Sequence, residues 1–525
     1  MAERSPIRRR AGALVPLFSI PSTRSWGIGE IGDLAGFAAW ARSAGLSMVQ
    51  LLPVNEMAEG QSSPYSALSA MAIDPIFIAV DDIPEFAAFG GERALSDGQR
   101  ERLTTVRRSP AVNHCLVREL KTEVLGALFE QFLEEQWRHG SPRAAAMNAY
   151  IEREHWWLAD YALFRALHAE NSGRYWLEWE PTVREREPQA LQDARFRLEA
   201  DILYYTWLQW IAGEQWTEAR REAHGVEILG DFPFMVSGDS ADVWVRQNEF
   251  RVDASVGVPP DAFSETGQDW GLPVYRWDVH ARNGYQWLRQ RARRCADLFD
   301  GFRVDHLVGF YRTFVREQDK TTYFVPADQE AQRSQGERLL RLFQESGARI
   351  IAEDLGVVPD FVRESLDRLG VPGMKVIRWE REWTVEGQPF KDPARYPVVS
   401  VAITGTHDTA TVAEWWDGAE ADERACAAEL PRLQALGIRP DDPFSDRVRD
   451  ALLETVFAAG SSLVLVPVPD IFGWRDRINR PAVVSDDNWS WRLPWPSDRL
   501  CAEPEAVERA VCLANLSLAT SRLVF

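Results

Sequence analysis

Eight short β-branched or apolar runs recur along the chain, and several end in a charged residue. They are Ala13 to Phe18, Met48 to Val54, Val226 to Val236, Phe302 to His306, Ile350 to Asp354, Met374 to Trp379, Val401 to Asp408, and Leu463 to Asp470. Runs of this length and character are what strands buried on both faces require. Between many of them, apolar residues three or four apart predict helices at Leu34 to Ala44, Tyr285 to Phe299, Glu337 to Glu345, Phe361 to Leu369 and Val448 to Ala458. Strand followed by helix, repeated, implies a parallel sheet of the α/β class. The number of strands predicts a (β/α)8 TIM barrel, and 525 residues suit one large barrel with insertions.

The regular spacing breaks twice. Residues 81–224 are rich in charged and aromatic residues at helical spacing and carry little strand signal, which predicts a mainly helical insertion. Residues 251–277 contain VGVPPDAFSETGQDWGLP, whose glycines and prolines predict an irregular, substrate-covering loop. The expected organisation is therefore 1–80 as the first part of a catalytic barrel, 81–224 as the insertion, and 225–525 as the remainder of the barrel. No internal repeat or low-complexity tract stands out.

Charge narrows the class of ligand. Lys and Arg number 59 against 79 Asp and Glu, a net charge of -20, which repels nucleic-acid backbones and anionic membrane surfaces. Neither partner is expected, and a neutral substrate suits this balance. The five cysteines are widely spaced and odd in number, with no CxxC pair, as in a chain of the reducing cytoplasm. The basic then apolar N-terminus is interrupted by Pro16 and Pro21, unlike a signal peptide, and no apolar run reaches the roughly 18 residues of a membrane span. The 22 tryptophans are in the main packing residues, but they raise the expectation of a carbohydrate ligand.

In such a barrel the C-terminal strand ends face the active site, so acids that terminate strands are the catalytic candidates. In GFRVDH, Arg303 and Asp305 are two apart and share one strand face. A guanidinium there would keep the carboxylate ionised, as a nucleophile requires, although a structural ion pair reads equally well. In RIIAEDLG, Glu353 follows a buried run, and desolvation near other acids would raise its pKa and favour a protonated acid. Asp354 would point the other way and cap the helix that begins near Pro359. VAITGTHDT places His407 and Asp408 at another strand end. Retaining glycosidases need two carboxyls about 5 to 5.5 Å apart, and acids at different strand ends can supply them. There is no HExxH, Cys/His cluster or EF-hand loop, so no catalytic metal and no cofactor is expected. Gly27, Gly29 and Gly32 spell GxGxxG with Glu56 at the next strand end, but Ile20 to Trp26 separate strand from glycines, against a dinucleotide fingerprint.

The ordered motifs SWGIGEIGDL, SSPYSALSA, WLADYALFRAL, GDFPFMVSGDSADVW, GVPPDAFSETGQDWG, GFRVDH, AEDLG, VPGMKV, GTHD and NWSWR run from about Gly12 to Leu493. In these the chain resembles the 4-α-glucanotransferases (amylomaltases, disproportionating enzymes) of glycoside hydrolase family 77. The resemblance implies transfer of α-1,4-glucan segments between maltooligosaccharide donors and acceptors. It further implies Asp305 as nucleophile, Glu353 as acid/base and Asp408 as transition-state stabiliser. It makes Arg303, His306 and His407 contacts around the reacting glucose, and Ser63 and Tyr65 part of a donor-site segment. Asp261, Gln268 and Trp270 fall in a loop over the cleft, and Asn479 is similar to a sugar contact. Rival readings are a retaining α-1,4-glucan hydrolase using the same acids and a catalytically silent glucan-binding protein.

The pattern departs from the family's at a few places. RVDHLVG carries Val308 where many members have Arg, THDT carries Thr409 for Asn, and Ala482 replaces a common Gly. These bear on preferred chain length and on the balance of transfer and hydrolysis. They leave the three carboxylates intact.

Overall fold

The computed structural model describes residues 8–58, 60–260, 267–481, 483 and 485–525. Twelve strands form among them: β1 (Arg10–Leu14), β2 (Met48–Gln50), β3 (Glu227–Phe232), β4 (Phe250–Val258), β5 (Gln268–Tyr275), β6 (Gly301–Val304), β7 (Thr313–Glu317), β8 (Thr322–Val325), β9 (Arg349–Ala352), β10 (Gly373–Val376), β11 (Ser400–Ile403) and β12 (Leu463–Pro467). Eight of them close a parallel barrel in the order β1-β12-β11-β10-β9-β6-β3-β2. The predicted (β/α)8 architecture is thus the one observed. Each strand is shorter than its apolar run: Asp305 and Glu353 lie immediately beyond the last residues of β6 and β9, and Asp408 five residues beyond Ile403 of β11, where the chain turns over the barrel mouth. At the first run, pairing ends before Pro16, which has no N–H for a ladder, and Leu17–Ser19 turns as a 3-10 helix.

Parity along the strands separates two cores. Met48, Leu229, Ile351, Met374, Val376, Val401, Ile403, Leu463 and Leu465 fill the barrel interior, while their neighbours in sequence join the larger core under the surrounding helices. The same parity carries Asp231, Arg303 and Glu353, each two residues beyond an inward-facing position or one another, up to the mouth.

The predicted helices form at Leu34–Ser43, Gln286–Leu298, Gln329–Gln344, Asp360–Leu369 and Asp446–Phe457. Between β2 and β3 the chain is helical, dominated by Pro142–Glu170 and Glu199–Glu222, which pack along each other. Tyr161 and Arg165 of the first reach Glu56 beyond β2, at 2.5 Å and 3.0 Å. Among the described residues, no helix is long and apolar enough to cross a membrane.

One expectation needs correcting. Residues 251–277 are not an irregular loop in their described part: β4 and β5 pair antiparallel, and β4 also pairs with β7 in a four-stranded sheet β5-β4-β7-β8. The glycines and prolines are accommodated locally. Register shifts on either side of Val256 let Gly257 approach β5, where a Cβ would stand 2.1 Å from the Gln268 carbonyl oxygen. Pro273 lies on the edge strand, which tolerates a residue without an N–H. Residues 261–266, including the predicted contact Asp261, lie outside the described residues.

Candidate active site

Arg303 is the hub of the barrel mouth. Its side chain is 2% exposed, and its two terminal nitrogens serve three acids from three adjacent strands. Nη1 lies 2.6 Å from Asp231, and Nη2 lies 2.9 Å from Asp305 and 2.8 Å from Glu353. Two oxygens on one nitrogen can be no farther apart than the ~5.7 Å sum of those bonds. That limit falls short of the roughly 6.5 Å at which inverting pairs begin and leaves room for the about 5 to 5.5 Å of a retaining carboxyl pair.

Backbone groups hold the acids in place. Asp305 N–H donates to the Phe232 carbonyl at 3.0 Å, and Glu353 N–H donates to that of Val304 at 3.1 Å. The N–H of His306 donates to Glu353 Oε2 at 2.7 Å. To do so His306 takes φ 42°, a left-handed conformation unfavourable for a residue with a Cβ and typical of functional sites. Its ring packs edge-on against Trp270 of β5, centroids 4.7 Å apart, and Trp270 Nε1 donates to Gln268 at 3.2 Å. The second sheet thereby supplies one wall of the site.

A second chain of bonds runs from Tyr65 to Asn479. The Tyr65 hydroxyl donates to Asp231 at 2.7 Å, so with its one proton committed it accepts from His407 Nε2, 3.1 Å away. His407 Nε2 also stands 3.3 Å from Asp408, whose other oxygen accepts from Asn479 Nδ2 at 2.6 Å. Tyr65 stacks on His407 at 5.5 Å, with Trp489 against both rings. Ser63 plays a smaller part: its Oγ accepts from the Tyr65 N–H at 3.4 Å and shapes the turn that presents the phenol. Sequence reasoning missed Asp231 and Trp489. An acid inside the apolar run of β3, with the same parity as Leu229, was the available signal for Asp231.

The charge states differ from expectation. Burial pushes Asp305 up to about 8 despite Arg303, with Glu353 and Asp231 adding like charge. Glu353 is held below the ordinary carboxylate range, because Arg303 and the His306 N–H outweigh its burial. The expectation that Arg303 would keep Asp305 ionised while burial protonated Glu353 is reversed: Asp305 is the acid that is raised and Glu353 the one that is lowered. One guanidinium cannot neutralise three buried carboxylates, and the backbone donor on Asp305 is the longer one, the Phe234 N–H at 3.5 Å against the His306 N–H at 2.7 Å on Glu353, so burial prevails at Asp305. Burial also raises Asp231 and brings His306 down to about 4. At the other end of the site, His407 and Asn479 overcome burial and hold Asp408 at about 2, while Asp408 in turn raises His407.

One further reading is corrected, and another gains its physical reason. Asp354 does not cap the helix at Asp360; it is buried and accepts from the Met374 N–H at 2.7 Å, fastening the start of β10 to β9. The glycines of GIGEIG serve packing: a Cβ on Gly29 would stand 1.9 Å from the Leu17 carbonyl oxygen, and Glu56 is engaged by Tyr161 and Arg165. Among the described residues no cluster of three or more His, Cys, Asp or Glu side chains is arranged to hold a metal ion.

Comparison with known proteins agrees with this geometry. The model of glycoside hydrolase family 77, described as 4-alpha-glucanotransferase, matches residues 15–498. A 4-alpha-glucanotransferase of Thermus thermophilus is 34% identical over 525 residues, covering 95% of this chain and 99% of the relative. One of Chlamydia pneumoniae is 30% identical, covering 92% and 91%. Among solved structures, the amylomaltase from Streptococcus agalactiae in complex with acarbose is 26% identical, with a TM-score of 0.83, covering 98% of this chain and 100% of that one. The chain belongs to the 4-alpha-glucanotransferase family, glycoside hydrolase family 77.

Proposed function

We propose that this chain transfers α-1,4-glucan segments between maltodextrins by double displacement, with Asp305 as nucleophile, Glu353 as acid/base and Asp408 as stabiliser of the transition state. The observation that carries the reading is the pair of acids on one Arg303 nitrogen, which keeps their bridged oxygens closer than the roughly 6.5 Å at which inverting pairs begin. Glu353 protonates the leaving oxygen while Asp305 attacks the anomeric carbon and forms a β-glycosyl ester. The 4-hydroxyl of the acceptor, deprotonated by Glu353, then attacks the ester and restores the α-bond.

Burial raises Asp305 while Arg303 and the His306 N–H lower Glu353, so a proton must pass from Asp305 to Glu353 before this can begin. The two carboxylates share Nη2, so Arg303 can hold whichever is ionised, and a sugar hydroxyl or a water between them completes the path. Asp408, held ionised by His407 and Asn479, stabilises the oxocarbenium-like charge and accepts from hydroxyls of the reacting glucose. Arg303, His306, His407, Tyr65 and Asn479 surround that sugar; Ser63 supports Tyr65, and Gln268 and Trp270 cover the acceptor side. The helical segment 81–224 acts as an insertion between barrel strands, and the protein works in the cytoplasm.

Incubation of the purified protein with maltotriose tests the reading. A ladder of longer maltodextrins alongside glucose and maltose is expected. Exclusively shorter sugars would assign it to hydrolysis, and unchanged maltotriose to glucan binding without chemistry.

A further inference from the structure

A cavity of about 180 Å³ opens beside the reaction centre, walled by His306 and Val308 just after Asp305, by Gly356 just after Glu353, and by Trp270 and Phe324 of the second sheet. Its position follows from chemistry. The oxygen that Glu353 protonates on departure is replaced by the acceptor oxygen that Glu353 deprotonates, so both sugars occupy the space on the Glu353 side. Trp270, Phe324 and Val308 offer apolar surface for the C–H face of a pyranose ring.

The charged side chain lining this cavity among the described residues is Arg312. Its guanidinium lies 4.4 Å from the centre of the Phe324 ring, and its Nε is buried with no hydrogen-bond partner among the described groups. Arg312 stands four residues after Val308, and a single helical turn joins them, with Arg312 N–H donating to the Val308 carbonyl at 2.9 Å. Both side chains line the same cavity, so a guanidinium from either position would reach it.

We infer that Arg312 is a specificity-determining residue for the acceptor, its guanidinium donating to hydroxyls of the incoming glucan in this cavity. The inference rests on the transfer reading above. Guanidinium donors held against an aromatic face and short of partners suit the hydroxyl oxygens of a neutral sugar.

α-Maltosyl fluoride separates the two readings, because its leaving group is a single ion that cannot reach Arg312. Fluoride release without acceptor reports glycosyl-enzyme chemistry, and transfer to added maltotriose reports the acceptor site. In Arg312→Ala, fluoride release is expected within about twofold of the parent, while the maltotriose concentration for half-maximal transfer rises about tenfold, as for a lost hydrogen bond to a charged group. Val308→Arg in the Arg312→Ala background is expected to recover part of that loss. An unchanged acceptor dependence in Arg312→Ala overturns the inference, as does a parallel fall in fluoride release and transfer, which marks a structural role. An Arg312→Ala defect that Val308→Arg leaves in full overturns the action of a guanidinium within this cavity. A parent that releases no fluoride overturns the catalytic reading itself.

Discussion

Asp305 and Glu353 share one nitrogen: Arg303 Nη2 lies 2.9 Å from the first and 2.8 Å from the second, so neither carboxylate can change its charge without changing the other's partner. The two acids nonetheless have separable tasks. Glu353→Gln is expected to lower maltotriose disproportionation by about 10² to 10⁴-fold, the usual range for general acid/base participation. Given α-maltosyl fluoride, whose departure needs little protonation, this variant should accumulate a glycosyl ester visible as an added mass on the protein. Asp305→Asn should form no such adduct, and finding one there would remove Asp305 from its assigned role.

The retained proton makes activity depend on pH in a defined direction. In the free enzyme the Asp305/Glu353 pair must keep one proton to react, and Asp305 lies at about 8. The value of kcat/KM should therefore decline on the alkaline side with an apparent pKa near 8, a property of the pair and not of one residue. A rate still flat at pH 10 would contradict a proton held in this cluster.

The same shift predicts a stability effect. Asp305 has a folded-state pKa above its unfolded value of about 3.9, so the folded protein binds the proton more tightly. Its contribution is fully present below about pH 4 and is lost as pH rises through about 8. Asp305→Asn removes the penalty of ionisation, so its Tm relative to the parent's should be higher at pH 9 than at pH 5. Equal differences at both pH values would show that the carboxyl does not titrate over this window.

Asn479 donates to Asp408 at 2.6 Å, and that bond helps to hold the acid at about 2. Its removal in Asn479→Ala takes away a hydrogen bond to a charged group, worth about 1.5–3 kcal/mol. A loss in kcat/KM of roughly ten- to a hundredfold is expected if the full bond strength serves the transition state. Steady-state kinetics would show it, with the denaturant midpoint serving as a check that the fold is intact.

Gly29 tests the packing reading of GIGEIG. A Cβ there would stand 1.9 Å from backbone, which cannot swing aside as a side chain would. Gly29→Ala should destabilise by at least the about 1–3 kcal/mol typical of overpacking. A urea midpoint equal to the parent's would refute the close approach.

Strand identity was legible because strands buried on both faces read as continuous apolar runs, and the residues that end them read as candidates for the site. The second sheet was not legible. β4 finds its partner β7 across β5 and β6, and nothing local to VGVPPDAF or RTFVRE announces that pairing. Asp354 illustrates a subtler limit: parity correctly turned it away from Glu353, but which backbone amide lay on that side depended on where β10 packed.

By itself, the sequence determined that a parallel barrel would form and that Arg303 and Asp305 would face the same way, because side-chain direction along a strand repeats every two residues. The motifs that mark the family also nominated Asp305, Glu353 and Asp408, though not Asp231. Only the tertiary structure decided how those acids share charge. Barrel closure sets β3, β6 and β9 side by side, so one buried guanidinium serves Asp231, Asp305 and Glu353 together. Proton occupancy in such a cluster depends on distances between strands more than forty residues apart in sequence, and no local pattern encodes them.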